Sequence, residues 1–320
     1  EDYPVGHFRQ KVNQKDNAIG YQKAAMVFHM LRREIGEEAF WRSLRKLVAE
    51  RGGAYSTWQD LERIFSDAAG RSLRWFFTQW VERPGAPSLK LAEVLLQGKG
   101  QEANGFTLRL RIAQAGGPYR LGLPLSVTLV DGQIHRALLP MESPEQIFTL
   151  HVPSKPLSVA LDPDYDSFRR LSREQIPPML NLFVTDRQRS LMLPDMGTEG
   201  EREPYQELAR QILSREQDIV QVSGQELIFS SGSALVLGGP GVNRAAEKVA
   251  QACGDRVSLG QDRFAVAGQT YEGPGKALLV TCRQSDGSGT VVTLFYGLTP
   301  SAAAKVARLL FFYGWQSYMV

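Results

Sequence analysis

The sequence predicts a multidomain α+β protein, in which a helical segment leads into a β-sandwich and then a C-terminal α/β domain. Three observations carry that reading. Apolar residues recur at helical spacing from Tyr21 to Pro84. After Pro87 they alternate with polar residues, the period of half-buried strands. From about residue 201 helical and extended stretches interleave, the pattern of an α/β layer. At roughly 150 residues per domain, a chain of 320 residues holds two or three.

Punctuation divides the helical segment, residues 1–87, into four helices. The first places Tyr21, Ala24, Ala25, Phe28, Leu31 and Ile35 on one face, and Met26, Val27 and Met30 extend the apolar surface so that burial on most sides is expected. The second carries Phe40, Leu44, Leu47 and Val48 and ends at Arg51-Gly52-Gly53, where glycine supplies a left-handed stop. Ser56 and Gln59 have capping-box spacing ahead of a third helix, with Leu61, Ile64, Phe65 and Ala68, that stops at Gly70. A fourth aligns Leu73, Phe76, Phe77 and Trp80 before Pro84.

The sandwich is expected over residues 88–163. Phe106, Leu108, Leu110 and Ile112 share one strand face. Runs at 121–130 and 133–139 flank Asp131-Gly132, a dipeptide suited to a tight hairpin, and 148–152 and 157–161 alternate again. Residues 164–200, with Pro177-Pro178, Pro194 and Gly197, read as a connector with at most one short helix. In the α/β domain, 201–320, helices are expected at 204–213, 243–253 and from Thr299-Pro300 to about Tyr313. Extended runs lie at 234–237, 264–267, 277–282 and 291–296.

Composition excludes several classes. At 43% hydrophobic and 22% charged the chain is neither disordered nor fibrous. The formal charge of +3 is spread without a long basic block, which argues against nucleic acid as partner. No run approaches the ~20 apolar residues of a membrane span. The chain begins at Glu1 and stops at Val320 inside a strand-like run, which reads as a processed chain or fragment from which any signal peptide would already be missing.

Four histidines, His7, His29, His135 and His151, are scattered with no H-E-x-x-H pair, so no metal site is expected from them. His29 on the apolar first helix reads as a hydrogen-bonded core residue, and His135 and His151 as facing solvent or a sheet edge. Cys253 and Cys282 read as core or near-core thiols. No G-x-S-x-G elbow exists, and Ser231-Gly232-Ser233 precedes a strand where a nucleophile elbow would follow one. Gly238-Gly239-Pro240-Gly241 lies between an extended run and a helix, a place where phosphate can bind. It is not G-x-G-x-x-G, however, and Pro240 removes one N–H donor. Gly275-Lys276 lacks the spacing of a P-loop.

The most informative string runs from Gly20-Tyr21-Gln22-Lys23-Ala24-Ala25 to Arg32, through Gly36-Glu37-Glu38-Ala39-Phe40, Trp58-Gln59-Asp60-Leu61 and Trp75 to Val81. It closes on Pro84-Gly85-Ala86-Pro87. This succession resembles the last part of the catalytic domain of M1 family zinc aminopeptidases, and the likeness extends over about residues 15–165. It implies that Tyr21 donates its phenol to the oxyanion formed when zinc-activated water attacks a peptide carbonyl. A preorganised donor aimed at developing charge lowers a barrier by several kcal/mol. It also implies a peptide substrate, and a zinc site on residues upstream of Tyr21 that are not in this chain. Ala24 departs from the family's usual glycine. The chain alone is accordingly expected to be inactive, one wall of a cleft without its nucleophile. The α/β domain would be an accessory module.

A non-catalytic scaffold, with Tyr21 merely structural, is the reading of a different class, and a nucleotide-binding α/β domain is a third. The resemblance leaves bacterial envelope and cytoplasm both open, and oligomeric state is not indicated.

Overall fold

The computed structural model describes residues 2–97, 105–216, 218–223, 232–284 and 289–320. Glu1 and Ser231, used above, lie outside the described residues. Helices and several β-sheets are both present, and the chain divides into two compact units, Glu1–Leu171 and Ser172–Val320. The division falls inside the stretch expected as a connector.

In the first unit α1, Gln14–Asn17, runs through a π-helical turn at Ala18–Lys23 into α2, Ala24–Ile35. Gly36, with φ +82°, separates it from α3, Glu37–Arg51. Next come α4, Trp58–Ala69, and α5, Arg74–Trp80. The capping box of α4 is Thr57 with Asp60, one residue beyond the expected pair: Thr57 Oγ1 accepts from Asp60 N–H, and Asp60 Oδ2 accepts from Thr57 N–H. The π-helical turn rotates the face that α2 buries. Lys23, Val27 and Leu31 point inward, while Tyr21 and Ala25 are exposed. The first helix is therefore amphipathic rather than buried on most sides.

The strands of this unit are β1, Ser88–Gln97, β2, Phe106–Ala115, β3, Leu121–Leu129, β4, Ile134–Met141, β5, Glu145–Val152, and β6, Pro156–Leu161. They form two antiparallel sheets, in the orders β1-β2-β5 and β4-β3-β6. Leu108, Leu110 and Ile112 of β2 and the alternate residues Leu121 to Leu129 of β3 enter one core with Phe65, Phe76, Phe77 and Trp80. Helices and sheets are thus held by a shared apolar interior, each fully buried side chain contributing about 1.5–3 kcal/mol. β1 escapes a sequence reading because its pairing shifts between Leu91 and Glu93, breaking the alternation.

The second unit has α6, Leu180–Val184, β7, Arg189–Leu193, α7, Glu199–Leu213, β8, Ile219–Ser223, β9, Ser233–Leu237, and α8, Ala245–Cys253. Then come β10, Val257–Leu259, β11, Arg263–Val266, and β12, Gln269–Glu272, a small antiparallel sheet. The chain continues through β13, Ala277–Arg283, β14, Val291–Gly297, α9, Pro300–Ala307, and β15, Tyr318–Met319. The main sheet has the order β15-β13-β14-β9-β7-β8, with β8, β7, β9 and β14 parallel. Every residue of β9 and β14 is buried, as in a sheet covered on both faces. One face packs against α6, α7 and α9, the other against α8 and the small sheet.

Three expectations change here. Residues 189–193, placed in a connector, form an inner strand, too short for its period to be read. The last helix ends at Ala307, and residues 308–315 continue as turns. Cys253 and Cys282 are joined in a disulfide between α8 and β13, with Cα atoms 5.2 Å apart, so they are not thiols.

Candidate functional site

Tyr21 stands on the π-helical turn with 57% of its surface exposed. Such turns insert one residue into a helix and re-aim a side chain, and they recur at functional positions. The preceding glycine has a direct role: a Cβ on Gly20 would lie 2.3 Å from the Phe8 ring. Without it, Phe8 settles against the helix and meets the Tyr21 ring edge-on, with centroids 5.6 Å apart. The approach of this segment is fixed by buried Asp16, whose Oδ2 accepts from Val12 and Asn13 N–H while its Oδ1 accepts from the Tyr3 phenol at 2.8 Å. Those bonds, the Tyr3 phenol first, hold the Asp16 carboxyl below its usual range.

Two residues on, Lys23 is 2% exposed. Its ammonium donates to the carbonyls of Arg83 at 3.2 Å and Gly85 at 3.0 Å and lies 5.5 Å from the Phe168 ring centroid. Burial pulls its pKa below that of a free lysine, opposed by the nearby Asp2 carboxylate. The Tyr21 turn is thereby tied to the Pro84-Gly85-Ala86-Pro87 segment, which joins two parts of the sequence string that lie about sixty residues apart. Sequence reasoning missed this bond. Its signal was a lysine placed four residues before Val27 on the helix face that turns inward.

His29 is half-buried rather than a core residue, and its Nε2 lies 2.8 Å from Asp166 Oδ1. Arg33 pairs with the other oxygen of Asp166 at 3.0 Å. His151 is exposed, with Nδ1 3.0 Å from Thr107 Oγ1. His135 is intermediate in exposure on β4. Among the described residues no group of three or more His, Cys, Asp or Glu side chains is placed to hold a metal ion. The described residues therefore offer no ligand set that fits zinc.

The Gly238–Gly241 loop follows β9 and precedes α8, as expected, but several N–H donors in and just after it are used internally. Gly238 N–H donates to Phe295 O, and Val242 and Asn243 N–H both donate to Gly239 O. Arg244 N–H is taken by Asp195 and Ala245 N–H by the Asn243 side chain. A Cβ on Gly239 would lie 2.2 Å from the Tyr296 ring, so this glycine serves packing. Ser233, at the other end of β9 from this loop, is buried and donates to Asp186 at 2.6 Å. Neither feature resembles an anion cradle or a nucleophile.

No protein-family profile matches the chain. Two curated relatives are similar in sequence, and both are named aminopeptidase N. The protein from Lactococcus lactis subsp. lactis is 36% identical over 80 residues, 25% of this chain and 9% of the relative. That from Haemophilus influenzae is 25% identical over 149 residues, 41% of this chain and 16% of the relative. The chain thus matches less than a fifth of the length of either. Among solved structures, Legionella pneumophila aminopeptidase A in complex with aspartic acid aligns over 62% of this chain and 23% of its own, with a TM-score of 0.39 and 18% identity. The two sequence matches support a relationship to aminopeptidases over part of the chain. Among the described residues, no helix is long and apolar enough to cross a membrane.

Proposed function

We propose that residues 1–87 are the oxyanion-donor portion of an M1-like aminopeptidase catalytic domain, with Tyr21 as the group that acts on a peptide carbonyl. The observation that carries this reading is the placement of Tyr21: exposed, on a π-helical turn, braced by Phe8 and anchored through Lys23. A phenol held there can donate its proton in a hydrogen bond to a carbonyl oxygen as negative charge builds on it. A donor already in position stabilises the transition state without reorganising. The attacking nucleophile is not supplied by these residues, and neither is a site for the zinc that the resemblance implies. The chain by itself is therefore a wall of a cleft with no hydrolytic activity. The two sheets of residues 88–163 act as the sandwich that braces the wall, and residues 172–320 form an accessory module. The Cys253–Cys282 bond supports an oxidising compartment, such as the bacterial envelope, over the reducing cytoplasm.

The test uses the peptidase that contains this chain together with its metal-binding segment. Tyr21→Phe removes only the phenol, so kcat should fall by about 10²–10³ while metal content and substrate affinity stay unchanged. Unchanged kcat in Tyr21→Phe would refute the assignment and leave the scaffold reading. Zinc-dependent release of aminoacyl chromophores by the 320-residue chain alone would refute its inactivity.

A further inference from the structure

The second unit displays an apolar surface that no contact among its described residues covers. Beyond α9 the chain turns through residues 308–315, and this segment is firmly anchored. Leu310 is fully buried, and Gly314 O accepts from Asn181 N–H at 2.9 Å. Gly314 also has no room for a side chain, since a Cβ would lie 2.4 Å from Asn181 Oδ1. With those two points fixed inward, Phe311, Phe312, Tyr313 and Trp315 are left outward, Phe312 76% and Trp315 72% exposed. Burying Leu310 and Gly314 while presenting four aromatic rings to water is costly unless something covers the rings. Single exposed apolar residues need no explanation, but a run of this size does.

Two further features lie at the same place. A cavity of about 370 Å³ opens beside the run, walled by Phe183, Leu208, Ile212 and Phe311. Its charged lining is Arg189, Arg215, Arg308 and Glu216. Glu216 is already paired with Arg189 at 2.9 Å, and Arg189 Nε, buried, has no acceptor among the described residues. Arg215 and Arg308 are exposed and have no ion pair among the described residues. From Pro300 to Val320 the sequence contains Lys305 and Arg308 and no acidic residue. The surface is therefore apolar, aromatic and cationic together.

We infer that this face binds the surface of an anionic lipid membrane, with Phe312 and Trp315 entering the headgroup layer, Arg215 and Arg308 pairing with phosphate, and the cavity beside Phe311 receiving part of an acyl chain. Aromatic residues favour the interface between hydrocarbon and water, and basic residues favour anionic headgroups. A pocket of this size with mostly apolar walls and a few charged groups at its rim suits an amphiphile. This is peripheral contact and requires no membrane-spanning segment. The charge asymmetry favours it over a second copy of the chain, which would bring the same cations face to face.

The experiment is co-sedimentation of the 320-residue chain, oxidised, with phosphatidylglycerol vesicles and with pure phosphatidylcholine vesicles, at low and high salt. Binding to phosphatidylglycerol should be at least about tenfold tighter than to phosphatidylcholine and should weaken with salt. Phe312→Ser with Trp315→Ser should lose most of it, and Arg215→Gln and Arg308→Gln about fivefold each, on the anionic vesicles only. These side chains are exposed, so folding should survive, which circular dichroism checks. Phe311→Ala gives an independent variant should the double one unfold. Failure to sediment with phosphatidylglycerol vesicles would overturn the inference, as would wild-type binding by both apolar variants. So would a dimer in sedimentation equilibrium that Phe312→Ser with Trp315→Ser dissociates, with no vesicle binding. None of these outcomes depends on Tyr21.

Discussion

Reducing the Cys253–Cys282 bond should lower the stability of residues 172–320 by about 3–4 kcal/mol. The two residues are 29 apart in sequence, and closing a loop of that size removes about 12 cal/mol/K of entropy from the unfolded chain, or about 3.6 kcal/mol at 25 °C. Both side chains are buried where α8 meets β13, so the bond joins a covering helix to the main sheet and adds to packing already present. In a unit spanning Ser172–Val320, each kcal/mol moves Tm by roughly 2–4 °C, which gives a drop of about 7–14 °C. The assay is differential scanning calorimetry of the oxidised chain against chain refolded and held in excess phosphine reductant. Its transitions can be assigned by melting residues 1–171 and 172–320 separately. A shift below about 2 °C would refute the loop-entropy argument, and two titratable thiols in the oxidised sample would refute the bond itself.

Three other substitutions test the packing argument. Asp162 is buried and accepts from Asp166 and Ser167 N–H and from Arg169 Nε at 2.9 Å, so Asp162→Ala removes the carboxylate facing a buried guanidinium and should cost about 3–5 kcal/mol in urea unfolding. Gly239→Ala pushes a methyl into the Tyr296 ring, whose hydroxyl is held by Gly260 O and Gln261 O. A loss of about 1–3 kcal/mol is expected, with nucleotide having no effect on Tm before or after the change. Asp60 is held well below the usual carboxylate range, first by the Arg51 guanidinium and then by the Thr57 bonds. Its stabilisation is therefore present above the unfolded carboxylate pKa and is lost as pH falls through and below it, because the unfolded chain takes up the proton first. Asp60→Asn should flatten the acid side of the stability profile measured by urea titration between pH 6 and pH 2.

Legibility in the sequence followed the physics of each element. Helices with a wide apolar stripe and a glycine stop, such as Trp58–Ala69 ending at Gly70, were readable because spacing and cap agree. So was the Asp131-Gly132 hairpin, where Gly132 has φ +80°. Elements whose pattern is interrupted were not: β1 loses its alternation at a bulge, β7 has only five residues, and the turns after Ala307 continue a helical pattern held mostly by i→i−3 bonds. The disulfide could not be read either, since two cysteines at any spacing admit a pair without requiring one.

The candidate site was legible in a more limited way. Motif residues were visible as letters, but not the contacts that make them a unit. Gly20 is needed because Phe8 lies against it, and Phe8 comes from a segment with no recognisable pattern. Lys23 is needed because the carbonyls of Arg83 and Gly85 reach into the core, where an unpaired backbone oxygen would cost about 1–3 kcal/mol. A lysine in an apolar position reads as a defect until its acceptors are known, and those acceptors are backbone atoms, which leave no mark on side-chain identity. The same reasoning explains why Tyr21 and Ala25 were assigned to the buried face of the first helix, whereas Phe28, Leu31 and Ile35 do pack into the core. A π-helical turn adds one residue to the helical repeat, so every position after it is displaced by about 100°, one residue's rotation in a helix of 3.6 residues per turn. Tyr21, assigned inward by spacing, lies within that turn and is exposed, as the proposed oxyanion role needs.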